Sequence, residues 1–453
     1  MYELEIKEEN IKKTLESDVL GRNCSIYNFL DLIYSIDTKC TISIDGDWGT
    51  GKTFFVKQVE YIMNLLNNSS KENIEPKIQS LIDKIKNKLE EKNIDIYGNV
   101  RAIYYNACEY DYFEEPVLTI IADIIKNNSN IEIDNPKVKK GLAEKLDSLL
   151  SSFKFGFSYQ NQNGNTLGLE VQKQKNESHS SILEEIILDK KLEENFKQLL
   201  EDLLVEKSNR LVIFIDELDR CNPKFAVKLL EKIKYFFNDE RFIFVFSTNM
   251  IQLQHTIEKY YGYNFNGGYY LQKFFDYQLE LPEINIEHYI NYQIMLIPTN
   301  SSYYVDDVIK DILKYKKFNL RDCNKFFELI KLKYNGLKTN NDNIRCYFFT
   351  SILFPVLLAL KIKDINEYQI IKKGKGKEEF RKIIQNCNHI MGYLTEEIKI
   401  TNVDNTVIDE IYDYTFIRND DEGIVIGNNF SIQRSYITRM FDKLSFLGEK
   451  NTL

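Results

Sequence analysis

The stretch Gly46-Asp47-Trp48-Gly49-Thr50-Gly51-Lys52-Thr53 has the form G-x-x-x-x-G-K-[ST]. Residues of these types at this spacing can hold phosphate. Glycines let backbone N–H groups curl around phosphate oxygens, and the start of a following helix faces the negative charge. Lys52 is expected to reach the outer phosphates of a nucleotide, and the Thr53 hydroxyl to ligate Mg2+. Phe54 completes the expected binding stretch at the head of the helix.

A second run supplies the acids. Leu211 to Ile215 is continuously apolar and ends in Asp216-Glu217. Asp216 is expected to hold Mg2+ through water, and Glu217 to polarise an attacking water. A glutamate directly after the metal acid favours hydrolysis over a small-molecule kinase, whose nucleophile comes from its substrate. Phe244 to Ser247 is another apolar run, ending in Thr248 and Asn249. Either residue can bond the γ-phosphate or orient the water, but a strand-terminal Asn reads equally well as a cap or turn residue.

Strands must carry these groups. Five short β-branched or aromatic runs, 40–44, 100–106, 210–215, 241–247 and 277–281, are nearly continuous in apolar character, as for strands covered on both faces. Between them 54–66 and 182–204 show helical spacing, so the pattern is a parallel α/β sheet. Two inserts interrupt it. Residues 67–98 read as one polar surface helix. Residues 127–177 read as a helix and then a hairpin (Phe153, Phe155, Phe157, Tyr159 against Leu167, Leu169, Val171), serving as a covering flap or as an edge for a partner. Beyond 283 helical patterns dominate, and 372–379 reads as a flexible link.

Composition sets limits. With 453 residues, 43% hydrophobic and 28% charged, the chain is globular, and its net charge of −9 argues against bulk electrostatic capture of nucleic acid or anionic lipid. Its 7 cysteines are scattered without a CxxC pair, and with 4 His no zinc spacing arises, so a reducing compartment is expected. The start MYELEIKEENIKK lacks the apolar core of a signal peptide. The apolar run 347–360 is short of the ~20 residues a membrane span needs, and reads as a buried helix. The expectation is a soluble, cytoplasmic protein. Of 59 basic residues only 11 are Arg, so Arg22, Arg220 and Arg321 are not the default cation here, and an Arg fork suits phosphate oxygens. For Arg220 an ion pair with Asp219 or Glu217 is the equal alternative. The pair Arg434 and Arg439 reads as solvated rather than as a nucleic-acid site.

The motifs together resemble the KAP family of P-loop NTPases, a branch near the AAA+ ATPases, over residues 14–335. Asp18-Val19-Leu20-Gly21-Arg22 is similar to the entry motif that lies near the adenine in AAA+-like folds. GDWGTGKT, with its Trp48, is the form the family prefers. Residues 105–111 (YNACEYD) resemble its "NAW-x-YD" stretch with Cys108 in place of Trp. DELDRC, 216–221, resembles its Walker B with Glu217 in place of the commoner second Asp. Residues 270–276 (YLQKFFD) are similar to "YL-x-K-hydrophobic", and 319–326 (NLRDCNKF) to the "R-x-x-K-R-F" helix of the lid.

The resemblance implies an α/β P-loop NTPase, with an AAA+-like five-stranded parallel sheet, helices on both faces and an all-α lid and C-terminal region. It makes 1–283 the core, 284–335 the helical lid and 336–453 a helical region without assigned role. Asn106 takes the place of the polar residue that restrains the catalytic acid, Lys273 that of an arginine finger, and Arg321 that of the lid sensor. Many members carry transmembrane helices between the two Walker motifs, and this chain has the polar inserts instead.

The expected activity is Mg2+-dependent ATP hydrolysis driving assembly of a homo-oligomer or a conformational switch, in bacterial anti-phage defence, with a separate effector protein. Nucleic acid is a possible but unindicated partner. The alternative is a nucleotide-gated scaffold with little turnover that recruits its effector.

Overall fold

The structure, a computed structural model, describes residues 4–68, 76–91, 100–113, 115–117, 119–120, 123, 156–157, 169–170, 210–236, 239–262, 264–297, 303–334, 344–418, 424–426 and 430–445. Among them are strands β1 (Cys40–Asp45), β2 (Val100–Asn106), β3 (Gly156–Phe157), β4 (Leu169–Glu170), β5 (Arg210–Asp216), β6 (Phe242–Thr248), β7 (Tyr277–Glu280), β8 (Ile424–Ile426) and β9 (Phe430–Ile432). The chain divides into two compact units. One comprises Cys24–Asp47 and Lys52–Pro282, the other Met1–Asn23, Trp48–Gly51 and Glu283–Leu453.

The first unit holds a 5-stranded sheet in the order β2-β5-β6-β1-β7, and every pairing in it is parallel. The inner strands are buried because both faces are covered: all seven residues of β6 and Leu211 to Asp216 of β5 are buried. The outermost strand, β7, exposes Tyr277, Gln278 and Glu280, as an edge strand can. Helix Lys52–Asn68 follows β1 and turns Phe55, Val56, Val59, Ile62 and Met63 inward. That spacing is one face of a 3.6-residue period, and each such side chain contributes roughly 2 kcal/mol on burial.

The register fixes where the strands stop. Asp45 pairs with Thr248, Ser247 with Asp216, and Asp216 with Asn106. The carboxyl ends of four adjacent strands therefore form one row, the edge at which open parallel sheets bind ligands.

The 67–98 insert carries helix Pro76–Glu90, with Ile82, Ile85 and Leu89 buried. In the second insert Gly156–Phe157 and Leu169–Glu170 pair antiparallel, in the sense expected of a hairpin. The rest of that insert, and the helix expected over 182–204, lie outside the described residues.

The second unit is built largely of helices, among them Glu8–Ser17, Ile286–Met295, Tyr303–Tyr315 and Leu320–Tyr334. Three features there differ from the sequence reading. First, the apolar run near 350 is helical and buried, but Phe348–Leu353 is a π-helix that leads into helix Phe354–Lys363. Pro355 has no N–H to return to the preceding turn, and the wider pattern runs up to it. Second, the segment expected as a flexible link is a pinned turn between helices Ile365–Lys372 and Lys377–Asn386. Gly374 has φ +73, the Lys375 N–H donates to Ile370 O at 3.0 Å, and the Gly376 N–H donates to the buried Tyr412 hydroxyl at 2.7 Å. Its Gly/Lys composition reflects turn geometry rather than looseness. Third, β8 and β9 pair as an antiparallel hairpin inside the helical region. At 3 residues each they are too short to leave an apolar signature. Among the described residues no helix is long and apolar enough to cross a membrane.

Candidate nucleotide site

At the end of β1 the chain leaves through Gly46 and Asp47 and re-enters the first unit at Lys52, the first residue of its helix. The Lys52 ammonium folds back over the loop, donating to the carbonyl of Gly46 and, at 3.1 Å, to that of Asp47. Burial lowers its pKa, and the carboxylates of Asp219, Asp216 and Asp45 oppose that shift. Lys52 thus feels three acids, Asp45 and Asp216 at the ends of β1 and β5 and Asp219 in the turn after β5, with Arg220 as a second cation near it. Thr53 is half-buried beside it, while Phe54 is only 4% exposed and packs in the core. Phe54 can therefore offer an anion only its main-chain N–H, one of the four at a helix start without an intrahelical partner.

Asp216 is 1% exposed. Its Oδ1 accepts the Glu217 N–H at 2.9 Å and its Oδ2 accepts the Tyr104 hydroxyl at 3.0 Å. Tyr104 lies on β2, where it pairs with Phe214, two residues before Asp216. Burial first, and then Asp216, pushes its phenol upward, so Tyr104 stays a neutral donor.

Glu217 breaks from the strand with φ 60 and ψ 24, left-handed values unusual outside glycine. The reversal starts the short turn Leu218–Arg220 and brings Glu217 Oε1 to 2.9 Å from Arg220 Nη1. Arg220 thus makes the ion pair with Glu217. Asn106, the expected restraint on this acid, donates to Glu109 Oε1 at 3.0 Å and accepts the Cys108 N–H at 3.2 Å. Asp219 is buried and accepts the Thr248 hydroxyl at 3.1 Å.

Asn249 ties two elements together. Its Oδ1 accepts the Gln252 N–H at 3.1 Å, capping helix Met250–Tyr261, while its amide donates to Asp47 Oδ1 at 3.3 Å. The Met250 N–H is received by Asp45 Oδ1 at 2.9 Å. The cap reading is thus realised, and a link to the phosphate loop comes with it. Lys273 is not part of this group. It is exposed past helix Gly267–Leu271, with its ammonium 5.7 Å from the Tyr270 ring centroid.

The rest of the loop belongs to the second unit. Gly49 and Gly51 have φ 84 and 87. A Cβ at Gly51 would lie 2.9 Å from Leu320 Cδ2, and one at Gly49 would lie 3.0 Å from Asn319 Nδ2. Arg22, 2% exposed, donates to the carbonyls of Thr50 at 3.1 Å and Gly51 at 3.5 Å, and burial pushes its pKa down to about 10. It braces the loop's main chain. Arg321 uses its backbone, the N–H donating to Gly49 O at 3.1 Å, and its side chain is exposed. Trp48 is 47% exposed.

Sequence reasoning did not single out Tyr104 or Asp45, and treated Asp219 only as a partner for Arg220. A signal exists for each: Tyr104 is two residues before Asn106, hence on the same strand face, Asp45 directly precedes the glycine-rich motif, and Asp219 lies inside DELDRC.

A family model described as the KAP family P-loop domain matches residues 22–296, more than half of the chain. The chain belongs to the KAP family of P-loop NTPases. Nucleotide binding and hydrolysis is the general chemistry of such a domain.

No curated protein matches the chain. Similar solved structures include the Aeropyrum pernix ORC1 protein in complex with DNA, 12% identical, covering 94% of this chain and 92% of that one at TM-score 0.37. The Aeropyrum pernix ORC2 protein (ADPNP-ADP complexes) is 10% identical, with coverages of 92% and 94% and TM-score 0.35. A Thermotoga maritima RuvB is 12% identical, with coverages of 96% and 95% and TM-score 0.29. The KAP match and the strand order, rather than these structures, carry the assignment.

Proposed function

We propose that this KAP chain is a Mg2+-dependent ATPase whose nucleotide cycle drives oligomer assembly or a conformational switch. The observation that carries the reading is the row of strand ends. Asp45, Thr248, Ser247, Asp216 and Asn106 align across the sheet, with Lys52 electrostatically coupled to Asp45, Asp216 and Asp219. Thr53 and Asp216 offer hard oxygen donors of the kind Mg2+ prefers, and Asp216 is already oriented on both oxygens. Bound there, Mg2+ would supply charge neutralisation across the phosphate oxygens. Lys52, once its ammonium leaves the Gly46 and Asp47 carbonyls, would serve the same charge. Glu217 would accept the proton of the attacking water, and Arg321 and Lys273 remain candidates for sensing and trans-acting roles. We place the activity in bacterial defence against phage, with a separate effector protein, on the family resemblance and the Arg-poor, Lys-rich composition of an AT-rich genome.

Lys52→Ala tests the core of this reading: ATP binding and turnover should both be lost while the fold is kept. Assembly is tested by the native mass of Glu217→Gln protein with Mg2+-ATP, with ADP and without nucleotide. A larger species with ATP alone supports assembly, and one mass in all three states removes it.

A nucleotide-gated scaffold is the second reading, and one observation favours it. The Glu217 carboxylate is held by Arg220, so it must leave that contact before it can turn to an attacking water. Tight ATP binding with negligible turnover would select this alternative.

A further inference from the structure

We propose that Tyr104 is a positioning residue that sets how tightly the site holds its divalent cation, an inference that rests on the Mg2+ reading of Asp216. Tyr104 lies 112 residues from Asp216 in sequence, yet its hydroxyl donates to Asp216 Oδ2 at 3.0 Å. The other oxygen, Oδ1, is taken by the Glu217 N–H at 2.9 Å. A carboxylate held at both oxygens cannot rotate about its last torsion, so the lone pairs left over point in fixed directions. A donor of this kind orients the carboxylate and, through it, the water by which Asp216 would hold the metal.

The ring itself is fixed from the other side. Lys57, one turn into the helix that follows the phosphate loop, puts its ammonium 3.5 Å from the Tyr104 ring centroid. That is within the range of a cation–π contact. Lys57 is in turn paired with Glu60 at 2.8 Å. Glu60, Lys57, Tyr104 and Asp216 thus form a continuous chain from the helix Lys52–Asn68 through β2 to the end of β5. The helix that begins with the phosphate residues Lys52 and Thr53 and the acid that faces them are coupled through one aromatic ring.

Tyr104→Phe removes the hydroxyl and keeps the ring, its packing and the Lys57 contact. The experiment titrates Mg2+ at fixed concentration of a fluorescent ATP analogue, in the full-length chain, and repeats the nucleotide titration in EDTA. The half-saturating Mg2+ concentration should rise about tenfold, the lower end of what lost outer-shell partners cost, while affinity in EDTA stays unchanged. Lys57→Met should shift Mg2+ dependence in the same direction by a smaller factor, and serves if Tyr104→Phe fails to fold. An unchanged Mg2+ midpoint in a folded variant, or an equal loss of binding in EDTA, overturns the proposal. A wild-type chain whose nucleotide binding ignores Mg2+ sinks the metal reading itself, and the proposal with it.

Discussion

The Glu217 carboxylate meets the Arg220 guanidinium at 2.9 Å, three residues along a turn that Glu217 itself begins in the left-handed region. A single short turn therefore holds the expected base of the reaction and a cation that ties it down. Both side chains are partly exposed, 24% and 37%, so the pair contributes at most about 1 kcal/mol. Arg220→Gln should accordingly leave the melting temperature nearly unchanged and raise basal ATP turnover by up to about fivefold, since 1 kcal/mol is about that factor in rate. Steady-state phosphate release reads the effect, and a fall in turnover would assign Arg220 to the nucleotide instead.

The phosphate loop depends on glycine at position 51. Its φ of 87 is costly for any other residue, and a Cβ would lie 2.9 Å from Leu320 Cδ2. The backbone conformation alone costs about 1–2 kcal/mol. Gly51→Ala should weaken ATP binding about tenfold, since 1.4 kcal/mol corresponds to that factor. Equilibrium binding of a fluorescent analogue measures it, and wild-type affinity would contradict the account.

Asn249 allows its two roles to be separated. Asn249→Asp keeps a side-chain oxygen to cap helix Met250–Tyr261 but loses the amide that donates to Asp47. The cap itself should hold, as Asn and Asp cap about equally well, but Asn249 is 6% exposed and a carboxylate there meets Asp47, so the melting temperature should fall. ATP turnover should drop, because a second carboxylate now faces Asp47. Unchanged turnover would reduce Asn249 to a cap alone.

The turn between helices Ile365–Lys372 and Lys377–Asn386 gives a prediction about stability only. The Tyr412 hydroxyl accepts the Gly376 N–H at 2.7 Å and donates to Ile371 O at 3.2 Å. Tyr412→Phe leaves a buried donor without its partner, which costs about 1–3 kcal/mol. Thermal unfolding should fall accordingly, with ATP binding retained; an unaltered melting curve would mean the turn is not pinned as described.

The sheet was legible because its inner strands are buried on both faces, so Ile213, Phe214, Phe244 and Val245 read as continuous apolar runs. The phosphate loop was legible because the positive φ at Gly49 and Gly51 and the helix at Lys52 impose residue types at fixed spacing. Contacts across long sequence separations were not. The bond from Tyr104 to Asp216 depends on the β2–β5 register, which no local pattern encodes. Arg220 could be narrowed only to two partners or the nucleotide, because side-chain torsions decide among them. The turn at 373–376 was misread as loose because glycine serves flexibility and tight φ > 0 turns alike.

Turnover of wild-type and Glu217→Gln protein at saturating Mg2+-ATP, with binding measured alongside, tests the central claim most directly. The wild type should hydrolyse ATP, and the variant should bind it with similar affinity and lose at least ~100-fold in rate, the smallest factor expected for a general base. Equal turnover in the two proteins would contradict the role given to Glu217. Binding without turnover in the wild type would show that nucleotide gates this KAP chain without being consumed.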